Sequence, residues 1–464
     1  MNLPSVFEQD MKARLGQQFE AFSSSLDEVA PVSVRWNVSK SSLPEGFQMV
    51  PWMADAFYLD KRPVFTLDPL FHAGAYYVQE ASSMFLAHIL KHLWEDNEPV
   101  KALDLCGAPG GKSTLMASML PEKSFMLTNE VIRSRANILV ENVQKWGHAE
   151  VAVSNNDPKD FQALAGFFDL MLIDAPCSGE GLFRRDPKAA EIWTPSHVDL
   201  CSDRQRRILM DSWDCLKEGG YLIYSTCTFN EKENEENLIW LSQQVEVESV
   251  SIPIEESWGI EEVRAHGMAA YRFYPHQVKG EGLFMAILRK EEGRTFKLNK
   301  RKKALFQKVD KHIQEEVGHW IREGKDLAIM QLEEELFAWP THYKAEIELL
   351  QEKLKLLHPG MPLAEIKRKN LSPLHGLAMS SSFQADSFQQ AVLTHEQALK
   401  YLHRDSLALD LEQGLNLLTF EGLPLGFAKQ IKQRTNNYYP QHWRIRMNIP
   451  HPSEWASLKN LSGS

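Results

Sequence analysis

Residues 101–120, KALDLCGAPGGKSTLMASML, run from a short apolar strand through a glycine-rich turn into a helix. A turn at that place aims backbone N–H groups and a helix N-terminus at a ligand. The alternation continues downstream. SFMLTNE (124–130) reads as a strand and VIRSRANILVENVQKWG (131–147) as a helix. VAVSNND (151–157), FDLMLIDAP (168–176) and GYLIYSTCTF (220–229) read as further strands, with HVDLCSDRQRRILMDSWDCL (197–216) a helix before the last. Strand–helix alternation of this kind predicts an α/β fold with a parallel, doubly wound, Rossmann-like sheet. YRFYP (271–275) and LFMAILRK (283–290) look like an antiparallel pair closing its edge.

Outside this core the patterns are weaker. Residues 1 to about 30 predict one amphipathic helix marked by Phe7, Leu15, Phe19, Phe22 and Leu26. VSVRWNVSK (32–40) looks like a strand, and TLDPLFHAGAYYVQEASSMFLAHILKHL (66–93) ends as a helix. EEGRTFKLNKRKK (291–303) reads as a linker, and residues 310–360 as charged helix. SLALDL, LNLLTF and HWRIRMNI then predict strands. The expected division is an accessory, RNA-binding α+β domain over 1–95 and a catalytic domain over 96–292. A linker and helical region over 293–378 and a β-rich domain over 379–464 complete it.

At 464 residues the chain is too long for a single core. Hydrophobic residues make up 43%, as in a globular protein, and no run of 18 apolar residues would span a membrane. The opening MNLPSVFEQDMKARLGQQFE carries charge where a signal peptide needs an apolar centre, so a cytoplasmic location is expected. The five cysteines, 106, 177, 201, 215 and 227, form no C-x-x-C, and no H-E-x-x-H is present; no metal site is expected. The net charge of −11 argues against nucleic-acid binding by the field of the whole molecule, but not against local basic patches.

Two ligands compete for the glycine loop. A P-loop needs G-x-x-x-x-G-K-[ST], and here only three residues separate Gly107 from Gly111, one short of a phosphate cradle. S-adenosylmethionine needs close backbone approach and an acid after the second strand for its ribose hydroxyls. Glu130 stands at that place, and Asp157, after the third strand, is placed toward the adenine. Either acid could instead simply cap a helix. Asp174 and Cys177 end the fourth strand and Cys227 the fifth, so all three should face the crevice beyond the sheet's carboxyl edge. Buried cysteine is often a plain hydrophobe, and that reading suffices for Cys201 and Cys215. A thiolate at a strand end, by contrast, can add to carbon 6 of a pyrimidine and make carbon 5 nucleophilic, with Asp174 as the acid at ring nitrogen 3.

DLCGAPGGKS (104–113), DAPCSGEG (174–181) and STCTF (225–229), with VRWN (34–37) and HAGAYYVQEASSM (72–84), resemble the RNA 5-methylcytosine methyltransferases of the Nop2/Sun/Fmu group. The resemblance implies Cys227 as nucleophile and Cys177 as the residue that helps release product. It places S-adenosylmethionine against Cys106, Gly107, Ala108, Pro109, Gly110, Gly111, Lys112, Glu130, Asp157 and Asp174. The group more often has C-A-A-P where this chain has C-G-A-P, a change that glycine should tolerate. LSPLHGLAMS (371–380) and FEGLPLGFAKQIKQRTNNYYPQHWRIR (420–446) resemble the tail of the bacterial F-type branch, which acts on small-subunit (16S) ribosomal RNA and ends in a PUA-like domain. Lys429, Lys432, Arg434, Arg444 and Arg446, interleaved with Tyr438, Tyr439 and Trp443, suit phosphate contact and base stacking, or else form a solvated face over an ordinary core. The expected partner is ribosomal RNA or the small ribosomal subunit, with transfer RNA as the alternative, and the chain is expected to be a monomer. A P-loop nucleotidase and a non-catalytic RNA scaffold are the competing classes.

Overall fold

The computed structural model describes residues 2–94, 97–298, 306–368, 370–407, 409–452, 455 and 458. The first thirty residues form two helices, Ser5–Leu15 and Phe19–Leu26, rather than one. Gly16 breaks them apart at φ 52°. Their Phe7, Met11, Phe19, Phe22 and Leu26 pack on Phe183, Trp193, Phe229 and Tyr274 from the catalytic domain. An antiparallel sheet follows, made of β1 (Val32–Trp36), β2 (Met49–Val50), β3 (Met53–Leu59) and β4 (Tyr76–Val78), in the order β2-β3-β1-β4.

The predicted Rossmann-like sheet is present. Its parallel strands are β5 (Lys101–Asp104), β6 (Phe125–Asn129), β7 (Val151–Ser154), β8 (Phe168–Asp174) and β9 (Leu216–Thr226), in the order β7-β6-β5-β8-β9. Strands β10 (Val247–Val250), β11 (Glu261–Ala265), β12 (Met268–Phe273) and β13 (Leu283–Lys290) extend it antiparallel, β13 pairing with β9. Strand order reverses between β5 and β8, the switch point at whose carboxyl side open parallel sheets bind ligands. The helices Gly111–Met119, Arg133–Trp146 and Pro195–Trp213 cover the faces.

Residues 310–360 are not the helical stretch expected. Helices Lys311–Gly318 and Lys344–Lys353 are there, but β14 (Leu327–Leu332) and β15 (Glu335–Pro340) form a hairpin. β16 (Leu356–His358) adds to the catalytic sheet antiparallel to β7. β17 (Met361–Lys367) and β18 (Asn370–Pro373) complete a four-stranded sheet, β14-β15-β17-β18. A tight turn joins β14 and β15, with Glu333 at φ 54°. The end of the expected linker, residues 299–303, lies outside the described residues. The last sheet joins β19 (Gln389–Val392), β20 (Gly414–Phe420), β21 (Leu423–Ile431) and β22 (Arg434–Asn437). LNLLTF lies within β20. Two other expected strands are not found: the described residues of SLALDL are irregular, and HWRIRMNI turns instead of pairing. In the latter, Trp443 and Ile445 are buried as side chains of the core.

Candidate active site

The glycine loop leaves β5 and enters the helix Gly111–Met119. Gly107 N–H donates to Asn129 O (2.8 Å), which ties the loop to β6. Arg135 donates to Ala108 O (2.7 Å) and Asn142 to Pro109 O (2.8 Å), so the loop's outer side is clamped by the helix Arg133–Trp146. Gly110 adopts φ 119°, a conformation open to glycine. Cys106 faces Asp104, Asp174 and Glu130, and burial together with those acids pushes its thiol well up. From the N-terminal domain, the buried Arg35 donates to Thr114 Oγ1 (2.6 Å) and Gln79 Oε1 (2.9 Å) and stacks 4.0 Å over the Trp146 ring.

Both expected acids stand at the carboxyl edge of the sheet, and both also act as helix-start acceptors. Glu130 is 3% exposed, takes Ile132 N–H on one oxygen (2.8 Å) and lies 3.2 Å from Arg135 on the other. Asp157 caps the turn Pro158–Leu164 by accepting from Lys159 N–H (3.2 Å), and it faces Arg207 at 3.6 Å. The capping and binding readings are therefore compatible. A carboxylate oxygen has two lone pairs, so each pinned oxygen can accept a further donor.

Asp174, Cys177, Lys112 and Cys227 come together at the ends of β8 and β9. Lys112 Nζ lies 2.9 Å from Asp174 Oδ2, and Ser225 donates to Asp174 Oδ1 (3.1 Å). Burial works against the Lys112 ammonium, but Asp174, with smaller contributions from Cys227 and Asp104, holds its pKa above the ordinary lysine value. The Cys177 and Cys227 sulfurs are 3.0 Å apart, and Cys227 N–H donates to Cys177 Sγ (3.3 Å). Both thiols are partly accessible and free, whereas Cys201 and Cys215 are buried, as expected of plain hydrophobes.

Behind the thiols lies a layer of polar residues that the sequence reading missed. Glu180 accepts from the N–H groups of Phe229 (2.8 Å) and Asn230 (2.9 Å) and from Trp193 Nε1 (3.1 Å). Gly181 N–H donates to Cys227 O (2.9 Å). Glu233 accepts from Ser178 N–H (2.9 Å), Gln205 Nε2 (2.8 Å), Asn230 Nδ2 (2.7 Å) and the Ser178 hydroxyl. EKENEENL (231–238) begins one residue after the STCTF motif. Only the fold turns two of its acids, Glu233 and Glu235, inward.

In the tail, Lys429, Lys432, Arg434, Arg444 and Arg446 are exposed, and so is Tyr438. Tyr439 and Trp443 are buried against His375, so they serve the core and not base stacking.

Comparison with known proteins identifies the family. Residues 90–289 match the family described as 16S rRNA methyltransferase RsmB/F. Residues 3–81 match the N-terminal domain of 16S rRNA methyltransferase RsmF, and 390–445 the methyltransferase RsmF PUA domain. The chain is 30% identical to the ribosomal RNA small subunit methyltransferase F of Enterobacter sp. (strain 638), covering 91% of this chain and 92% of that one. The relative of the same name from Shewanella loihica is also 30% identical, over 85% and 83%. Among solved structures, a methyltransferase homolog from Pyrococcus horikoshii aligns with TM-score 0.51 at 26% identity, over 61% of this chain and 98% of that one. NSun6 from the same organism, solved with SFG, aligns with TM-score 0.53 at 20% identity, over 62% and 98%, and shows the shared fold. With a match over nine-tenths of its length and all three component domains, the chain belongs to the ribosomal RNA small subunit methyltransferase F family of S-adenosylmethionine-dependent methyltransferases.

Proposed function

We propose that this enzyme methylates carbon 5 of cytosine in small-subunit ribosomal RNA, through a covalent bond between Cys227 and carbon 6 of the base. The observation that carries this reading is the meeting of two free thiols, a carboxylate and a lysine at the ends of two adjacent parallel strands. S-adenosylmethionine, when bound, supplies an electrophilic methyl group on a positively charged sulfur. Glu130 and Asp157 offer acceptors for its hydroxyls and adenine side, and the loop from Cys106 to Lys112 lets the backbone come close.

Cys227 gives its proton to solvent and its sulfur adds to carbon 6, which leaves carbon 5 rich in electrons. Asp174 shares a proton with ring nitrogen 3 as the sulfur adds, and Lys112 steadies the carboxylate once that proton has moved. After methylation, solvent takes the hydrogen on carbon 5 as a proton and its electron pair re-forms the ring double bond. Ring nitrogen 3 returns its proton to Asp174, and Cys227 leaves as a thiolate. Cys177, in contact with the Cys227 sulfur, serves this release. The target base must leave its stack to reach either thiol, so an accessible loop or strand is the expected substrate.

The single-cysteine variants test the reading. Cys177→Ala should accumulate a protein–RNA adduct that survives a denaturing gel. Cys227→Ala should form no adduct and no 5-methylcytosine. An adduct from Cys227→Ala alone would reverse the two roles, and full turnover by both variants would remove covalent catalysis. Mapping 5-methylcytosine on ribosomal and transfer RNA incubated with the enzyme decides the substrate.

A further inference from the structure

We propose that Glu233 is a positioning residue of the active site: its buried carboxylate pins the segment carrying Cys177 to the loop following Cys227, so that the two sulfurs face each other in distinct roles. The inference rests on the covalent reading above.

Glu233 is fully buried and belongs to neither cysteine motif. It nevertheless takes four donors, two of them from Ser178, the residue after Cys177. A third comes from Asn230, three residues beyond Cys227. The fourth comes from Gln205, which also donates to Pro176 O (3.0 Å), so Cys177 is gripped on both sides. Ser178 Oγ and Thr228 Oγ1, 3.0 Å apart, join the same two segments directly. A carboxylate has lone pairs for all four donors, whereas a neutral amide would turn two of its own donors toward them.

The charge has a second consequence. The Cys177 thiol is pushed well up, first by its hydrogen bond to Cys227, then by burial, and further by the charges of Cys227 and Glu233. The other titratable groups around it are the Tyr224 hydroxyl on β9, Cys201 on the helix Pro195–Trp213, the buried Glu180, which shares the Asn230 amide with Glu233 (2.9 Å), and the Lys112–Asp174 pair on the Cys227 side. Of the two buried acids, Glu233 accepts from Ser178 itself, whereas Glu180 accepts from Trp193, Phe229 and Asn230. Burial raises the pKa of Glu233 itself, and its hydrogen bonds from Ser178, Asn230 and Gln205 oppose that rise. Ionised, Glu233 adds its charge to the larger effects of Cys227 and burial in opposing a second thiolate beside the nucleophile.

Three variants, Glu233→Gln, Glu233→Asp and Gln205→Ala, test this, each checked by circular dichroism and by S-adenosylmethionine binding in calorimetry. In Glu233→Gln the ratio of trapped RNA adduct to released product should rise at least about tenfold, as if Cys177 were displaced. In a Cys227→Ser background, the pH profile for alkylation of Cys177 by iodoacetamide should move to lower pH with Glu233→Gln. It should stay at the parent position with Glu233→Asp, which keeps the charge. A merely structural role would lower the melting temperature and leave that profile unmoved. If Glu233→Gln does not fold, Gln205→Ala decides through the adduct ratio. Folded variants with the parent ratio and the parent thiol profile would overturn the proposal. Failure of the covalent reading would show differently, as no adduct from Cys177→Ala.

Discussion

Asp104 ends β5 wholly buried, with Ser113 donating to Oδ2 (2.6 Å). Burial pushes its pKa up to about 7; the Ser113 hydrogen bond opposes the rise and nearby Asp174 adds to it. In the unfolded chain the same group titrates near ~3.9. As pH rises from about 4 the unfolded state releases this proton while the folded state keeps it, so this residue's contribution to stability falls, and the loss is complete above the folded pKa. Asp104→Asn removes that penalty and leaves an acceptor for Ser113. The melting temperature of the variant relative to the parent should therefore climb between pH 5 and about pH 8. A difference independent of pH would mean that Asp104 is ionised throughout.

At the scale of elements, the loop and the strand beside it fit more tightly than the motif suggests. C-G-A-P reads as a harmless variant of C-A-A-P. Yet a Cβ on Gly107 would lie 2.1 Å from Thr128 Oγ1 and 2.8 Å from Ser113 Oγ, both buried. Thr128 fills the space an alanine would need, and its Oγ1 lies within hydrogen-bond reach of Ser113 Oγ (2.9 Å). Gly107→Ala should cost about 1–3 kcal/mol by overpacking and weaken cofactor binding. Thr128→Ala in the same chain should recover most of both, read by thermal melts and calorimetry. Equal stability of Gly107→Ala and parent would show that β6 yields instead. The same scale explains the misread elements. The hairpin β14–β15 hides behind Glu333–Glu335, because charge at a turn and charge on a helix face look alike without a partner strand. The first helix breaks at Gly16, where the apolar marks on either side follow helical spacing and conceal the interruption.

At the scale of the whole molecule, the parts expected to be separable share a core. Trp36, Phe57 and Tyr76 of the N-terminal sheet cluster with Leu336 and Leu363 of the third sheet and with Tyr401, Tyr439 and Trp443 near the C-terminus. His395 bonds Leu67 O (2.9 Å), and Leu458 N–H donates to Asp68 (3.1 Å). Deleting residues from about 380 onward would strip this core, so truncation should lower stability as well as RNA binding. Charge reversal is the cleaner probe. Lys429→Glu, Lys432→Glu and Arg434→Glu together alter exposed side chains of β21, β22 and their turn. The triple variant should keep its melting temperature and cofactor affinity and bind RNA more weakly. Its salt dependence should be shallower by roughly one unit of slope for each phosphate that is no longer neutralised. Unchanged RNA affinity would place the anchor elsewhere on the surface.

The parallel sheet, its glycine loop and the strand-end placement of Asp174, Cys177 and Cys227 were determined by the sequence alone. Each rests on local signals: apolar runs of strand length, glycines at a turn, and reactive residues just past a strand. Those signals need no knowledge of what packs where. The tertiary structure alone decided the rest, because it depends on which distant segments meet. It made Glu180 and Glu233, to which the sequence assigned no role, buried anchors for the two cysteine loops. It made Thr128 the reason for Gly107, and it sent Tyr439 and Trp443 into a core shared with residues some four hundred positions away. Burial and partner choice are properties of contacts between segments, and a linear pattern carries only one side of each contact.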